Sequence, residues 1–264
     1  MYNYMTKQYT SDIPFIISRF IREYDISKAN LNVLFHKGIV KPEQYDLLYN
    51  ASRGDREIYF GNLQKNKEIS KALSDGIAEF RKRFIEANNI QDHNILSVKN
   101  DSFFLIDIVP LITKFDNVEF KLKNIYTSYY KLKDLEIYYY LDIINDKEYI
   151  DIKGINDSKL HLHQKGMILF LCSIFDLLQT GSVEEAISEI TKFYNSYVQL
   201  SLPLEYYREL NADSSFRVSS KNGTQYLFDI IDEKNRQYLN IVYNLNLIRE
   251  LYGSISLLYY NRNR

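Results

Sequence analysis

The stretch ILSVKNDSFFLIDIV, Ile95 to Val109, decides the fold class. Two apolar runs rich in β-branched and aromatic residues flank Lys99-Asn100-Asp101. That pattern predicts a tight hairpin, Ile95–Lys99 against Ser102–Val109. A two-residue turn needs positive φ, and Asn and Asp tolerate it better than most residues. A chemical question comes with the hairpin: Asp101 is either a turn residue or a carboxylate presented at an exposed tip.

Downstream, the period of two continues to Ile155. EFKLKNIYTSYYKLKDLEIYYYLDI (Glu119–Ile143) and EYIDIKGI (Glu148–Ile155) read as strands, with Asn124 and Lys133-Asp134 as turns. Connections this short exclude parallel crossovers, so four to six antiparallel strands are predicted. Upstream, the period is helical. PFIISRFIREY (Pro14–Tyr24), introduced by Ser11-Asp12, and KPEQYDLLYN (Lys41–Asn50) read as helices. The clearest helix is Lys67–Asn88, where Ile69, Leu73, Ile77, Phe80, Phe84 and Ala87 form one apolar stripe. After Asn156-Asp157-Ser158 the helical period returns. One helix runs from Ser158 to Gln179, and SVEE at Ser182 reads as a capping box for the next. Lys221-Asn222-Gly223 centres a small hairpin between Phe216 and Phe228. The prediction is an α+β chain: a helical region over 1–92, an antiparallel sheet over 93–156 and a mainly helical region over 157–264, packed as one globular unit.

Composition narrows the function classes without choosing one. With 33 basic against 34 acidic residues the net charge is −1, so nucleic-acid contact requires a local patch. The single cysteine, Cys172, lies in the apolar run MILFLCSIF and excludes a disulfide framework. MYNYMTKQYTSD lacks the charged and apolar regions of a signal peptide, and the longest apolar run, Met167–Leu178, is too short to cross a bilayer. These features predict a cytoplasmic protein with no membrane partner. The 24 tyrosines suit half-buried sheets or a stacking surface.

Signatures of common chemistries are missing. The sequence has no G-x-x-x-x-G-K-[ST], no G-x-G-x-x-G and no G-x-S-x-G. His161-Leu162-His163 falls in a predicted helix, where side chains two apart diverge, so a metal pair is not expected there.

A long helix, a polar loop, an apolar strand, an Asp at a hairpin tip and a second strand together resemble motif C of phage-type DNA polymerase palms, families A and B. The matching run is IAEFRKRFIEANNIQDHNILSVKNDSFFLI. In family B a Lys/Tyr strand and a K-G element lead on to a helical thumb; KLKNIYTSYYKL and YIDIKGI stand in that order here. The resemblance covers residues 65 to 210. It implies that Asp101 binds a divalent metal at a primer end. No D-x-x-S-L-Y-P motif A and no K-x-x-x-N-S-x-Y-G motif B accompany it. Asp107 cannot supply the second carboxylate, because six strand residues at about 3.3 Å each place it roughly 20 Å away.

The expected function is therefore a nucleic-acid-binding, palm-like phage or mobile-element replication protein. It would be a split or degenerate polymerase fragment lacking part of its catalytic carboxylates, inactive unless a partner chain completes it. Asp101 is the expected metal residue, holding Mg²⁺ only when nucleic acid is present. Arg53, Arg56, Lys65, Lys67, Lys99, Lys121, Lys123, Tyr126 and Lys131 are the expected nucleic-acid contacts, cations beside aromatic rings. The alternative is a protein-interaction subunit, part of a larger assembly, using a Tyr-rich sheet surface.

Overall fold

The computed structural model describes residues 2–3, 5–132, 135–142, 147–153, 165–180, 182–207, 217–220, 223–226, 233–234, 236–238 and 241–262. The class is α+β with antiparallel pairing, as the sequence predicts. The chain divides into two units, one of residues 1–13 and 19–125, the other of 14–18 and 126–264.

The first unit contains β1 (Gln8–Thr10), most of β2 (Phe15–Ile26), α1 (Ala29–His36), α2 (Pro42–Asn50), α3 (Arg53–Leu63) and α4 (Lys67–Ala87). The hairpin β3 (Ile95–Lys99) and β4 (Ser102–Ile106), then β5 (Lys114–Phe115) and the first part of β6 (Val118–Leu132), complete it. Its strand order is β1-β3-β4-β2-β6, with β5 beside β6. The hairpin forms where predicted, with Lys99 opposite Ser102. Asn100 takes φ 53°, whereas Asp101 stays outside the positive-φ region, so one left-handed residue suffices for this turn.

The main correction is β2. PFIISRFIREY was expected to be helical, and residues 15–26 are a strand that pairs antiparallel with β4, Ile21 opposite Ile106 through Asp25 opposite Ser102. Ser18 has φ 57°, a break in the strand that shifts the alternation of its side chains. Ile16, Ile17, Phe20, Ile21 and Tyr24 therefore mimic a helical spacing in the sequence. A second difference is Asn124, which continues β6 and makes no turn.

Helix α4 packs as its stripe predicts. Leu73, Ile77, Phe80 and Phe84 are buried in one core with Tyr24 and Ile26 of β2 and Phe103 and Leu105 of β4. Ala87 is exposed. Asn66 caps the helix by accepting from Glu68 N at 2.8 Å. Phe84 stacks on Phe120 with ring centroids 4.1 Å apart. Gly76 brings α4 against α1: a Cβ there would lie 2.4 Å from Val33 Cγ1. Gly76→Ala should therefore destabilise this unit by about 1–3 kcal/mol despite the better helix propensity of Ala. A urea midpoint equal to or above that of the unaltered chain would refute this close approach.

The second unit pairs the end of β6 with β7 (Leu135–Asp142) and β7 with β8 (Lys147–Lys153). Helices α5 (Lys165–Gln179), α6 (Val183–Val198) and α7 (Val242–Arg262) supply its core, with Phe170 stacked on Phe193 at 3.7 Å. Ser182 precedes α6 as expected but makes no side-chain capping bond. Arg217–Ser220 and Gly223–Tyr226, β9 and β10, form the predicted hairpin. The expected turn Lys133-Asp134, the helix start at Ser158, and His161 and His163 lie outside the described residues.

Candidate metal and nucleic-acid site

The site grows from the register of β2 on β4. Side chains alternate along a strand, so with Tyr24 and Ile26 turned into the core, Glu23 and Asp25 face the other way. Asp25 stands opposite Ser102, the residue after the hairpin turn. Ser102 Oγ donates to Asp25 Oδ1 at 3.1 Å, and Ile26 N donates to Asp101 O at 3.2 Å. The Asp101 carboxyl thereby lies close enough to Asp25 to feel its charge. Asp101 is half-buried, which corrects the exposed tip expected from the sequence.

The electrostatics follow from that proximity. Burial pushes the Asp101 carboxyl up to about 6, and the Asp25 charge adds to the rise; the Lys123 ammonium opposes it. Burial also raises Asp25, against Lys123 and the Ser102 hydroxyl. Two neighbouring carboxylates do not both ionise cheaply, so the pair keeps one proton up to about pH 6. Lys123 Nζ lies 3.2 Å from Glu23 Oε1 and 3.8 Å from Asp25 Oδ2. Asn124 Nδ2 donates to Glu23 Oε2 at 2.6 Å.

Around the pair lies a cleft of about 370 Å³, with Arg53 and Arg56 of α3 and Lys28 on its walls. Ser52 caps α3 by accepting from Asp55 N at 3.2 Å, which fixes the turn that aims both arginines. Arg56 is anchored by donating to Ala51 O. Arg53 pairs with Glu57 at 2.7 Å and lies close enough to feel the Asp25 charge. Lys28, in a left-handed conformation at φ 47°, donates to Tyr49 O at 2.7 Å and lies 3.2 Å from the Tyr49 ring centroid. Burial lowers the Lys28 pKa, and the charges of Arg56 and Lys121 lower it further. Helix α1 starts at this wall without a side-chain cap, so its first N–H groups add positive potential.

Of the residues expected from the sequence, Arg53, Arg56, Lys123 and Asp101 converge on this cleft. Lys121 stands near it, 3.4 Å from Glu119. Lys65 donates to Asn62 and Lys67 begins α4, neither at the cleft. Lys99 donates to Thr10 on β1. Lys131 lies in the second unit, half-buried and opposite Glu136. Tyr126 is fully buried with its hydroxyl donating to Asp151 at 2.8 Å, so it offers no stacking face. Tyr129, Tyr138 and Tyr139 are likewise buried, whereas Tyr149 is exposed on the sheet and stacks on Tyr140. The residues the sequence did not disclose are Asp25, Glu23 and Lys28. Their signal was Asp25 at a strand end, visible only once β2 is read as a strand.

The donor set suits a hard divalent cation. Two carboxylates offer hard oxygen donors, of which Mg²⁺ or Mn²⁺ would take one or two beside its own waters. Among the described residues no group of three or more metal-ligating side chains occurs. Among the described residues no helix is long and apolar enough to cross a membrane.

The family model described as Bacteriophage PBS1 gene 130 protein matches residues 1–256. The chain belongs to that phage protein family. The match spans both units and includes every residue of the cleft. No curated protein matches the sequence. The family's description names no activity.

Proposed function

We propose that the chain is a palm-like nucleic-acid-binding protein whose Asp25–Asp101 pair holds divalent cations against phosphate groups. One observation carries the reading: strand pairing sets Asp25 opposite Ser102, and so beside Asp101 at the hairpin turn. Two-metal phosphoryl transfer needs carboxylates that converge on ions about 4 Å apart. The sequence shows no motif A, but Asp25 stands on the strand next to the Asp101 hairpin and supplies a second carboxylate there. A partner chain is then not required to supply it.

Each residue has a physical task in this reading. Asp25 is kept in place by Ser102, and Asp101 by the turn whose carbonyl Ile26 binds. Metal binding would displace the proton the pair keeps, which makes affinity rise with pH through about 6. Bound cations would neutralise charge on the phosphate being contacted or transferred. Lys28, Arg53, Arg56 and the α1 N-terminus form a positive wall for further phosphates. The overall charge of −1 confines attraction to this wall.

Fluorescence anisotropy of labelled single-stranded and primer–template DNA and RNA tests the reading. With Mg²⁺ present the unaltered chain should bind with a steep salt dependence. Asp25→Asn and Asp101→Asn should each lose roughly tenfold or more of the Mg²⁺-dependent affinity, since each removes one of only two carboxylate ligands. Binding that ignores Mg²⁺, or that both variants keep in full, would sink the proposal.

A further inference from the structure

Glu23 lies behind the cleft, bound to its lining residue Lys123, and has no task in the reading above. It is 1% exposed, and a carboxylate so deep is tolerated only when paired and hydrogen-bonded. Both oxygens are engaged: Oε1 by Lys123 Nζ at 3.2 Å and Oε2 by Asn124 Nδ2 at 2.6 Å. Those two partners are consecutive residues of β6, so Glu23 grips that strand beside the carboxylate pair. The Lys123 side chain remains 49% exposed and ends 3.8 Å from Asp25 Oδ2. A lysine stem is flexible and its ammonium has three donors. The bond to Glu23 fixes the stem, and Lys123 lines the cleft.

We propose that Glu23 is a positioning residue that holds the Lys123 ammonium at the cleft as a fixed contact for nucleic-acid phosphate. This rests on the reading of the cleft as a nucleic-acid site. The competing role is a third metal ligand, since Glu23 and Asp25 share one face of β2. Lys123 and Asn124 already occupy the oxygens such a ligand would offer.

The test compares Glu23→Gln, Lys123→Met and the double variant in Mg²⁺-dependent DNA binding, salt slope and Mn²⁺ affinity without DNA. Glu23→Gln keeps the shape and an acceptor for Asn124 while releasing the ammonium. Each single variant should weaken DNA binding by about fivefold to tenfold and lower the salt slope by about one phosphate contact. The double variant should bind as Lys123→Met alone does, because the two residues act as one unit. Mn²⁺ affinity should stay within about twofold in all three, as expected where no ligand is lost. Should either single variant fail to fold, the double variant, which leaves no unpaired buried charge, must still show the weakened DNA binding and lowered salt slope with Mn²⁺ affinity unchanged. DNA binding unchanged by Glu23→Gln, multiplicative losses in the double variant, or Mn²⁺ affinity lost with Glu23 would each overturn the positioning role. Absence of Mg²⁺-dependent binding by the unaltered chain would overturn the palm reading itself, and the use of Lys123 with it.

Discussion

Asp101→Asn should stabilise the first unit at pH 7.5 while removing its response to Mg²⁺. The folded pKa of Asp101, about 6, lies above its ordinary value of 3.8. The folded chain therefore holds the proton more tightly than the unfolded chain. Stability from this group is greatest below about pH 4, falls as pH rises towards 6, and is flat beyond. At pH 7.5 the carboxylate is a burden of about 2 kcal/mol, after allowance for its partial exposure. Asn reproduces the protonated carboxyl: it keeps the turn, leaves the carbonyl that Ile26 binds, and can donate to Asp25. Its melting temperature at pH 7.5 should rise by roughly 4–8 °C, and the decline between pH 4 and 6 should flatten. Mg²⁺ should raise the melting temperature of the unaltered chain and leave that of the variant unmoved. A variant that melts lower at pH 7.5, or that keeps the Mg²⁺ response, would mark Asp101 as a turn residue without a strained partner.

Phe84→Ala should be among the most damaging single substitutions in the first unit, at about 3–5 kcal/mol. Its ring is fully buried and meets Tyr24, Phe103, Phe115 and Phe120, so β2, the hairpin and β6 all lose a contact. A hole enclosed by rigid rings from several strands collapses poorly. The urea midpoint should drop steeply, and Mg²⁺-dependent DNA binding should fall only as the folded fraction falls. An unchanged midpoint would contradict the packing of α4 on the sheet. A loss of binding at full folding would imply that the ring does more than fill space.

The parts of this fold legible in the sequence are those whose pattern is local. Lys67–Asn88 repeats its apolar residues at helical steps for six turns, and nothing in its surroundings competes with that period. The hairpin at Asn100-Asp101 carries its own turn chemistry. Residues 15–26 failed because a break at Ser18 moves the apolar residues into a helix-like spacing, which short-window reading cannot distinguish. That error hid the site. Asp25 has no distinguishing neighbours, and its partner is more than seventy residues away; only strand pairing joins them. Arg53, Arg56 and Lys123 were legible as cations, whereas their convergence depends on where α3 ends its loop and which way β6 faces. Tyr126 illustrates the reverse case. Its ring suits stacking, but a buried tyrosine whose hydroxyl finds Asp151 looks the same in sequence as an exposed one.

The central claim is that one cation is shared between the Asp25–Asp101 pair and a nucleic-acid phosphate. Pulsed electron paramagnetic resonance of substoichiometric Mn²⁺, added to the chain with a short primer–template duplex, measures that sharing through the ³¹P hyperfine coupling. One protein-bound Mn²⁺ with a ³¹P coupling is expected in the unaltered complex, lost on Asp25→Asn and on Asp101→Asn at protein concentrations where folding is intact. A ³¹P coupling of the same strength in both variants, or a Mn²⁺ signal indistinguishable from that of the duplex alone, would contradict it.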